Sequence, residues 1–200
     1  MFRGLILDAD GVLILSAPMT ARRGWERLHG KPEGSLDAAL SEAIGPGWAG
    51  GRDEAEIHRR LGEILGIGPA GLPDVLEVLA AHQVLNTDLT ALLATARPAL
   101  RTAILTNSGP TRRAELTARF AADTLADLIV VSAEEGIAKP DPAIFALTCQ
   151  RLGLEPGECL FVDDDPANVA GAVRAGLRAE VYSTVERLRH VLTSAGPEGR

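Results

Sequence analysis

The chain has 200 residues, of which 46% are hydrophobic and 24% charged, with 20 Lys plus Arg against 27 Asp plus Glu and a formal net charge of −7. That apolar fraction supports a buried core in one domain, or one domain with an insert, and the acidic balance argues against a nucleic-acid or anionic-membrane binder, whose contacts rest on excess positive charge. Cys149 and Cys159 are the two cysteines, too few to staple a fold of this size, and read as reduced thiols of a cytosolic protein.

Leu5 to Leu7 form the first apolar run, which ends at Asp8. It is too short for a signal-peptide core, and no later run approaches the roughly 20 residues that cross a bilayer, so a soluble, cytoplasmic protein is expected. From about Ser16 to Leu85 no convincing strand is read. Helical stripes dominate there: Ala21, Trp25 and Leu28; Leu36, Leu40 and Ile44; Ile57, Leu61 and Ile64. Gly45 to Gly51 interrupts them with a Gly- and Pro-rich loop. Gly66-Ile67-Gly68-Pro69-Ala70-Gly71 imitates a dinucleotide-binding glycine pattern. It follows a helical stripe and contains Pro69, so it reads as a loop.

Apolar runs return at Ala103 to Leu105, Leu128 to Val131 and Leu160 to Val162, with a weaker one at Ala179 to Tyr182. Continuous runs of this length read as parallel strands buried on both faces. Between them the spacing is helical: Leu116 and Phe120; Phe145, Cys149 and Leu152; Val169 and Val173; Val185, Leu188 and Leu192. Alternating strand and helix predicts an α/β fold with a doubly wound, Rossmann-like parallel sheet, and the helical stretch after the first strand predicts an insert. Ala195 to Arg200 is expected to fray.

In such sheets ligands sit outside the carboxyl ends of the strands, and Asp8, Thr106 and Asp163 each follow an apolar run directly. Asp8-Ala9-Asp10-Gly11 places two carboxylates two residues apart where Gly11 frees the backbone to turn, so one can attack while the other handles protons. A carboxylate that accepts a phosphoryl group needs a cation to offset the charge, and oxygen-only ligation favours Mg²⁺. Asp163-Asp164-Asp165 supplies further carboxylates. Asp165 itself reads as the N-cap of a helix that opens at Pro166, while Asp163 and Asp164 remain functional candidates. The same cluster fails as a calcium loop, since its sixth position is Asn168 and its twelfth Arg174. Thr106-Asn107-Ser108-Gly109-Pro110 reads either as a phosphate-holding loop at a helix N-terminus or as an ordinary capping loop. In Lys139-Pro140-Asp141-Pro142 the prolines stiffen a loop that holds a cation at a fixed place.

Asp8-Ala9-Asp10-Gly11-Val12, Thr106-Asn107, Lys139-Pro140-Asp141-Pro142 and Phe161-Val162-Asp163-Asp164 resemble, in order and context, the four motifs of the haloacid dehalogenase-like (HAD) hydrolase superfamily. The resemblance covers nearly the whole chain. It implies a catalytic core over residues 1–15 and 86–200 and a small helical cap over 16–85, as in the phosphatase-like branch. It further implies that Asp8 is the nucleophile and Asp10 the general acid and base. Mg²⁺ would be bound by Asp8, the Asp10 backbone carbonyl and Asp164, with Asp163 supporting them from behind. Thr106, Asn107 and Lys139 would hold the phosphoryl group.

The activity this implies is Mg²⁺-dependent dephosphorylation of a small phosphorylated metabolite, such as a sugar phosphate, by a monomer or homodimer. A 2-haloacid dehalogenase, a phosphomutase and a phospho-accepting signalling module are the alternatives. Dehalogenating relatives lack a carboxylate at the position of Asp10, which favours phosphate. Specificity is expected in the cap, where Trp48, Arg52, His29, Arg22 and Arg23 are candidates for substrate contact.

Overall fold

The computed structural model describes residues 2–16, 20–45, 54–81, 83–97 and 99–194. Five strands, β1 (Gly4–Leu7), β4 (Arg101–Thr106), β5 (Leu128–Val131), β6 (Cys159–Asp163) and β7 (Arg178–Val181), form one sheet in the order β5-β4-β1-β6-β7. Every pairing in it is parallel. This is the doubly wound α/β sheet that the sequence predicts.

Alternation along the strands explains the two helical layers. Leu5 and Leu7 of β1, Ile104 of β4 and Leu160 and Val162 of β6 face one core, where Leu89, Leu92, Leu116 and Leu188 pack on them. Those residues lie on α5 (Thr87–Ala96), α6 (Arg112–Phe120) and α11 (Val185–Ser194). Ile6, Ala103, Leu105 and Phe161 face the opposite core, covered by Ile144, Phe145, Cys149 and Ala172 of α9 (Pro142–Leu152) and α10 (Pro166–Arg174). Near-continuous apolar runs, as in Leu5–Leu7, Ala103–Leu105 and Leu160–Val162, are what a sheet covered on both faces requires. Two single-turn helices, α7 (Ala122–Leu125) and α8 (Ser132–Glu135), flank β5.

A third core lies apart from the sheet. Trp25, Leu36, Ile57, Leu61 and Val75 pack together from α1 (Thr20–Leu28), α2 (Ser35–Ile44), α3 (Glu54–Leu65) and α4 (Leu72–Ala80). The buried Glu26 accepts the backbone N–H groups of Gly34 and Leu36, at 3.1 and 2.9 Å, and so supplies from a distance the cap that α2 lacks locally. The glycine pattern at 66–71 is a loop that follows α3 rather than a strand and tightens to a 3₁₀ turn at Pro69–Gly71. Residues 46–53, with Trp48 and Arg52 among them, and residues 195–200 lie outside the described residues.

One expectation is corrected. The stretch from Ser16 to Leu85 is bounded by a two-stranded antiparallel ribbon of β2 (Ile14–Ser16) and β3 (Gln83–Leu85), paired Ile14 with Leu85 and Ser16 with Gln83. Strands of three residues are too short for alternation to register in sequence. The ribbon is anchored by Asn86, which caps α5 through Leu89 N–H at 3.2 Å and donates to the Val12 carbonyl at 2.9 Å and to the Tyr182 hydroxyl at 2.8 Å. Among the described residues no helix is long and apolar enough to cross a membrane.

Candidate active site

Parallel register brings the carboxyl ends of β1, β4 and β6 side by side. Leu7 pairs with Ile104 on one flank and with Val162 on the other, so Asp8 stands beside Asp163, and Thr106 closes the neighbouring strand at the same end. Asp8, Thr106 and Asp163 are all buried. Lys139 reaches this row from the loop before α9. Its Nζ lies 2.7 Å from Asp8 Oδ1 and 2.7 Å from Asp163 Oδ2, and the lysine is itself buried.

The surrounding residues fix this cluster. Asp163 also accepts the Asp165 N–H at 2.8 Å and Asn168 Nδ2 at 3.2 Å to each oxygen. Both its oxygens are thereby engaged inside the protein. Asp165 caps α10 by accepting the Ala167 N–H at 2.8 Å, as expected of an Asp before a Pro at the first helical position. Asn107 donates to the Lys139 carbonyl at 2.8 Å and accepts the Lys139 N–H at 2.9 Å. The sequence reading puts Asn107 on the phosphoryl group, whereas the structure engages both ends of its amide with the main chain of Lys139.

Burial and like charge strain the carboxylates. Loss of water pushes Asp8 up to about 7, with the charge of Asp163 adding to the rise and Lys139 opposing it. Asp164 is raised by burial and by Asp163. Burial alone would lower Lys139, but the attraction of Asp8 and Asp163 outweighs it, and the ammonium is held above its usual range. One ammonium therefore faces three carboxylates, since Asp8, Asp163 and Asp164 offer oxygens within 4.8 Å of one another. An all-oxygen donor set of clustered carboxylates suits a hard divalent cation. Space there is tight: Gly11 turns the chain at φ +80°, and a Cβ on it would overlap the Asp164 carboxylate.

Asp10 lies at the mouth of the row with half its side chain exposed, 2.5 Å from Arg112 Nη2. Arg112, the first residue of α6, is buried, and its other amino group meets Glu115 at 2.8 Å and Gln83 at 3.3 Å. Sequence reasoning missed both Arg112 and Gln83. An arginine at a helix N-terminus opposes the helix dipole, but that mismatch is small and does not by itself single Arg112 out in the sequence.

Above the row, a cleft of about 610 Å³ separates the sheet from the four-helix layer, with Arg22, Leu40, Ile57 and His58 on one side and Asp10 and Arg112 on the other. Of the other cap candidates, Arg23 pairs with Glu33 at 2.9 Å, and His29 stacks on Trp25 with ring centroids 4.1 Å apart.

Comparison with known proteins gives a consistent result. The family model described as haloacid dehalogenase-like hydrolase matches residues 2–176. The chain is 35% identical over 102 residues to the N-acylneuraminate-9-phosphatase of Rattus norvegicus, which is 50% of this chain and spans only 41% of that relative's length. It is 30% identical over 201 residues to the phosphoglycolate phosphatase of Rhodospirillum rubrum, covering 92% of this chain and 80% of that one. Among solved structures, a HAD family enzyme from Bacteroides thetaiotaomicron in complex with magnesium and inorganic phosphate superposes with a TM-score of 0.75 at 18% identity, covering 94% of this chain and 99% of that one. The L-2-haloacid dehalogenase of Xanthobacter autotrophicus superposes with a TM-score of 0.67 at 23% identity, covering 98% and 84%. Both structures are similar in fold. With a family model spanning most of its length, the chain belongs to the haloacid dehalogenase-like hydrolase family.

Proposed function

We propose that the protein is a Mg²⁺-dependent phosphatase of small phosphorylated metabolites that works through a phosphoryl group carried on Asp8. The observation that carries this reading is the buried row of Asp8, Lys139 and Asp163 at adjoining strand ends, with Asp164 and Asp10 beside it.

Asp8, Asp164 and the Asp10 backbone carbonyl would hold Mg²⁺, which would offset the charge shared by Asp8 and the incoming phosphoryl group. Asp163 orients Lys139. In the first half-reaction an Asp8 oxygen forms a bond to phosphorus as the ester oxygen leaves, and Asp10 gives that oxygen its proton. In the second, Asp10 takes a proton from a water whose oxygen bonds to phosphorus, and the bond to Asp8 breaks to release inorganic phosphate. Lys139 and Thr106 hold the phosphoryl oxygens, so the catalytic work is positioning and electrostatics. The four-helix layer of residues 16–85 serves as a cap that closes on the core formed by 1–15 and 86–200 and excludes water. Relatives that bear the names of phosphatases of N-acylneuraminate 9-phosphate and phosphoglycolate favour phosphorylated sugars and small acids as substrates.

A panel of phosphorylated metabolites and 2-haloacids, assayed with Mg²⁺ and with chelator, tests the reading. Phosphate release that chelator abolishes is expected. Halide release without phosphate release, or a rate indifferent to chelator, contradicts it.

A further inference from the structure

Arg112 is 5% exposed, and a buried guanidinium is costly unless its charge is matched. Part of the match is local, from Glu115 one turn along α6. The rest comes from across the fold, from Asp10 at 2.5 Å and Gln83 at 3.3 Å. Gln83 touches the same carboxylate, its Nε2 lying 3.5 Å from Asp10 Oδ1. It is also the first residue of β3, the strand on which the chain returns from the four-helix layer, and it pairs with Ser16 of the outgoing strand.

A second arginine on the same face of α6 repeats the connection. Arg119 donates to Gln83 Oε1 at 3.1 Å and to the Ala80 carbonyl at the end of α4 at 2.8 Å. Nearer the head of α6, the Thr111 hydroxyl bonds Glu54 of α3 at 2.7 Å. Helix α6 therefore grips the four-helix layer near its return strand and at α3, and it reaches the catalytic row through Arg112 on Asp10. Glu115 is shared with Arg119, which it meets at 2.7 Å, so the carboxylate that completes the match for Arg112 is Asp10.

We propose that Arg112 is the positioning residue for Asp10, and that through Gln83 it ties the orientation of that carboxylate to the placement of the helical layer over the sheet. The inference rests on the role given to Asp10 above. A planar guanidinium presents its donors in a fixed fork, so it can hold a carboxylate on one amino group and a reporter amide on the other at set directions. Displacement of the return strand then moves Gln83 and loosens Asp10, so proton transfer becomes competent only with the cleft in one arrangement.

Turnover of p-nitrophenyl phosphate by the wild type, Arg112→Met, Asp10→Asn and the double variant gives the test. Arg112→Met should lower kcat by about 10- to 100-fold, the scale of a misplaced catalytic group, with KM changed by less than about 3-fold. In the Asp10→Asn background the same substitution should change kcat by less than about 3-fold, because its effect passes through Asp10. Equal losses in both backgrounds, or no loss in the wild type, overturn the inference. Should Arg112→Met not fold, Gln83→Leu is expected to show a smaller loss that also vanishes with Asp10→Asn, and an undiminished loss there counts against the proposal. Wild-type turnover by Asp10→Asn would instead overturn the role of Asp10. Crystal structures separate the two failures, because the inference requires the Asp10 side chain to leave its single orientation in Arg112→Met whether or not the enzyme turns over.

Discussion

Asp8 and Lys139 form a buried pair in which the carboxylate is the strained partner. Burial lifts its pKa from 3.8 to about 7, so between those values the folded chain keeps a proton that the unfolded chain has released. The contribution of Asp8 to stability in the metal-free protein therefore falls as pH rises from 3.8 to about 7. A divalent cation takes the carboxylate form and relieves that strain. Mg²⁺ should accordingly raise Tm more at about pH 8 than at about pH 5.5, read by thermal unfolding with and without the ion. An equal rise at both pH values would contradict the assignment of Asp8 to the cation site. At this scale the row itself is legible in sequence, because Asp8, Thr106 and Asp163 each end an apolar run and a parallel sheet gathers strand ends. Arg112 and Gln83 are not legible. Their partners are distant in sequence, and a charged residue on a helix reads as solvated until tertiary contacts are known.

Elements long enough to express a period are legible, and the shortest are not. The stripes at 36, 40 and 44 and at 57, 61 and 64 correspond to α2 and α3, and the four apolar runs correspond to β1, β4, β5 and β6. The ribbon of β2 and β3 escapes because each strand has three residues, yet it joins the helical layer to Asp10. Close packing between elements also escapes a sequence reading. A Cβ on Gly171 of α10 would overlap the Pro140 carbonyl oxygen and stand 2.9 Å from the Pro140 Cα, on the loop that delivers Lys139. Gly171→Ala should therefore push that loop off α10 and lower both Tm and kcat, with a stability loss of about 1–3 kcal/mol typical of overpacking. Unchanged Tm and kcat would show that the loop tolerates displacement and that Lys139 is not held by this contact.

Across the whole molecule, the acidic excess takes on a partly specific meaning. Asp8, Asp10, Asp163 and Asp164 gather at one end of the sheet beneath the cleft, where Lys139 and a divalent cation would turn an acidic crevice into a seat for an anion. The parallel sheet supplies the convergence, and the four-helix layer with its own core supplies the opposite wall. Family membership follows from the match over residues 2–176, while phosphate transfer to Asp8 is the central claim that chemistry must test. The most direct measurement is mass spectrometry of enzyme acid-quenched during turnover of p-nitrophenyl phosphate with Mg²⁺. One phosphoryl group on the peptide containing Asp8, absent from an Asp8→Asn variant that no longer turns over, is the expected result. Phosphate release with no label at Asp8, or undiminished turnover by Asp8→Asn, would contradict it.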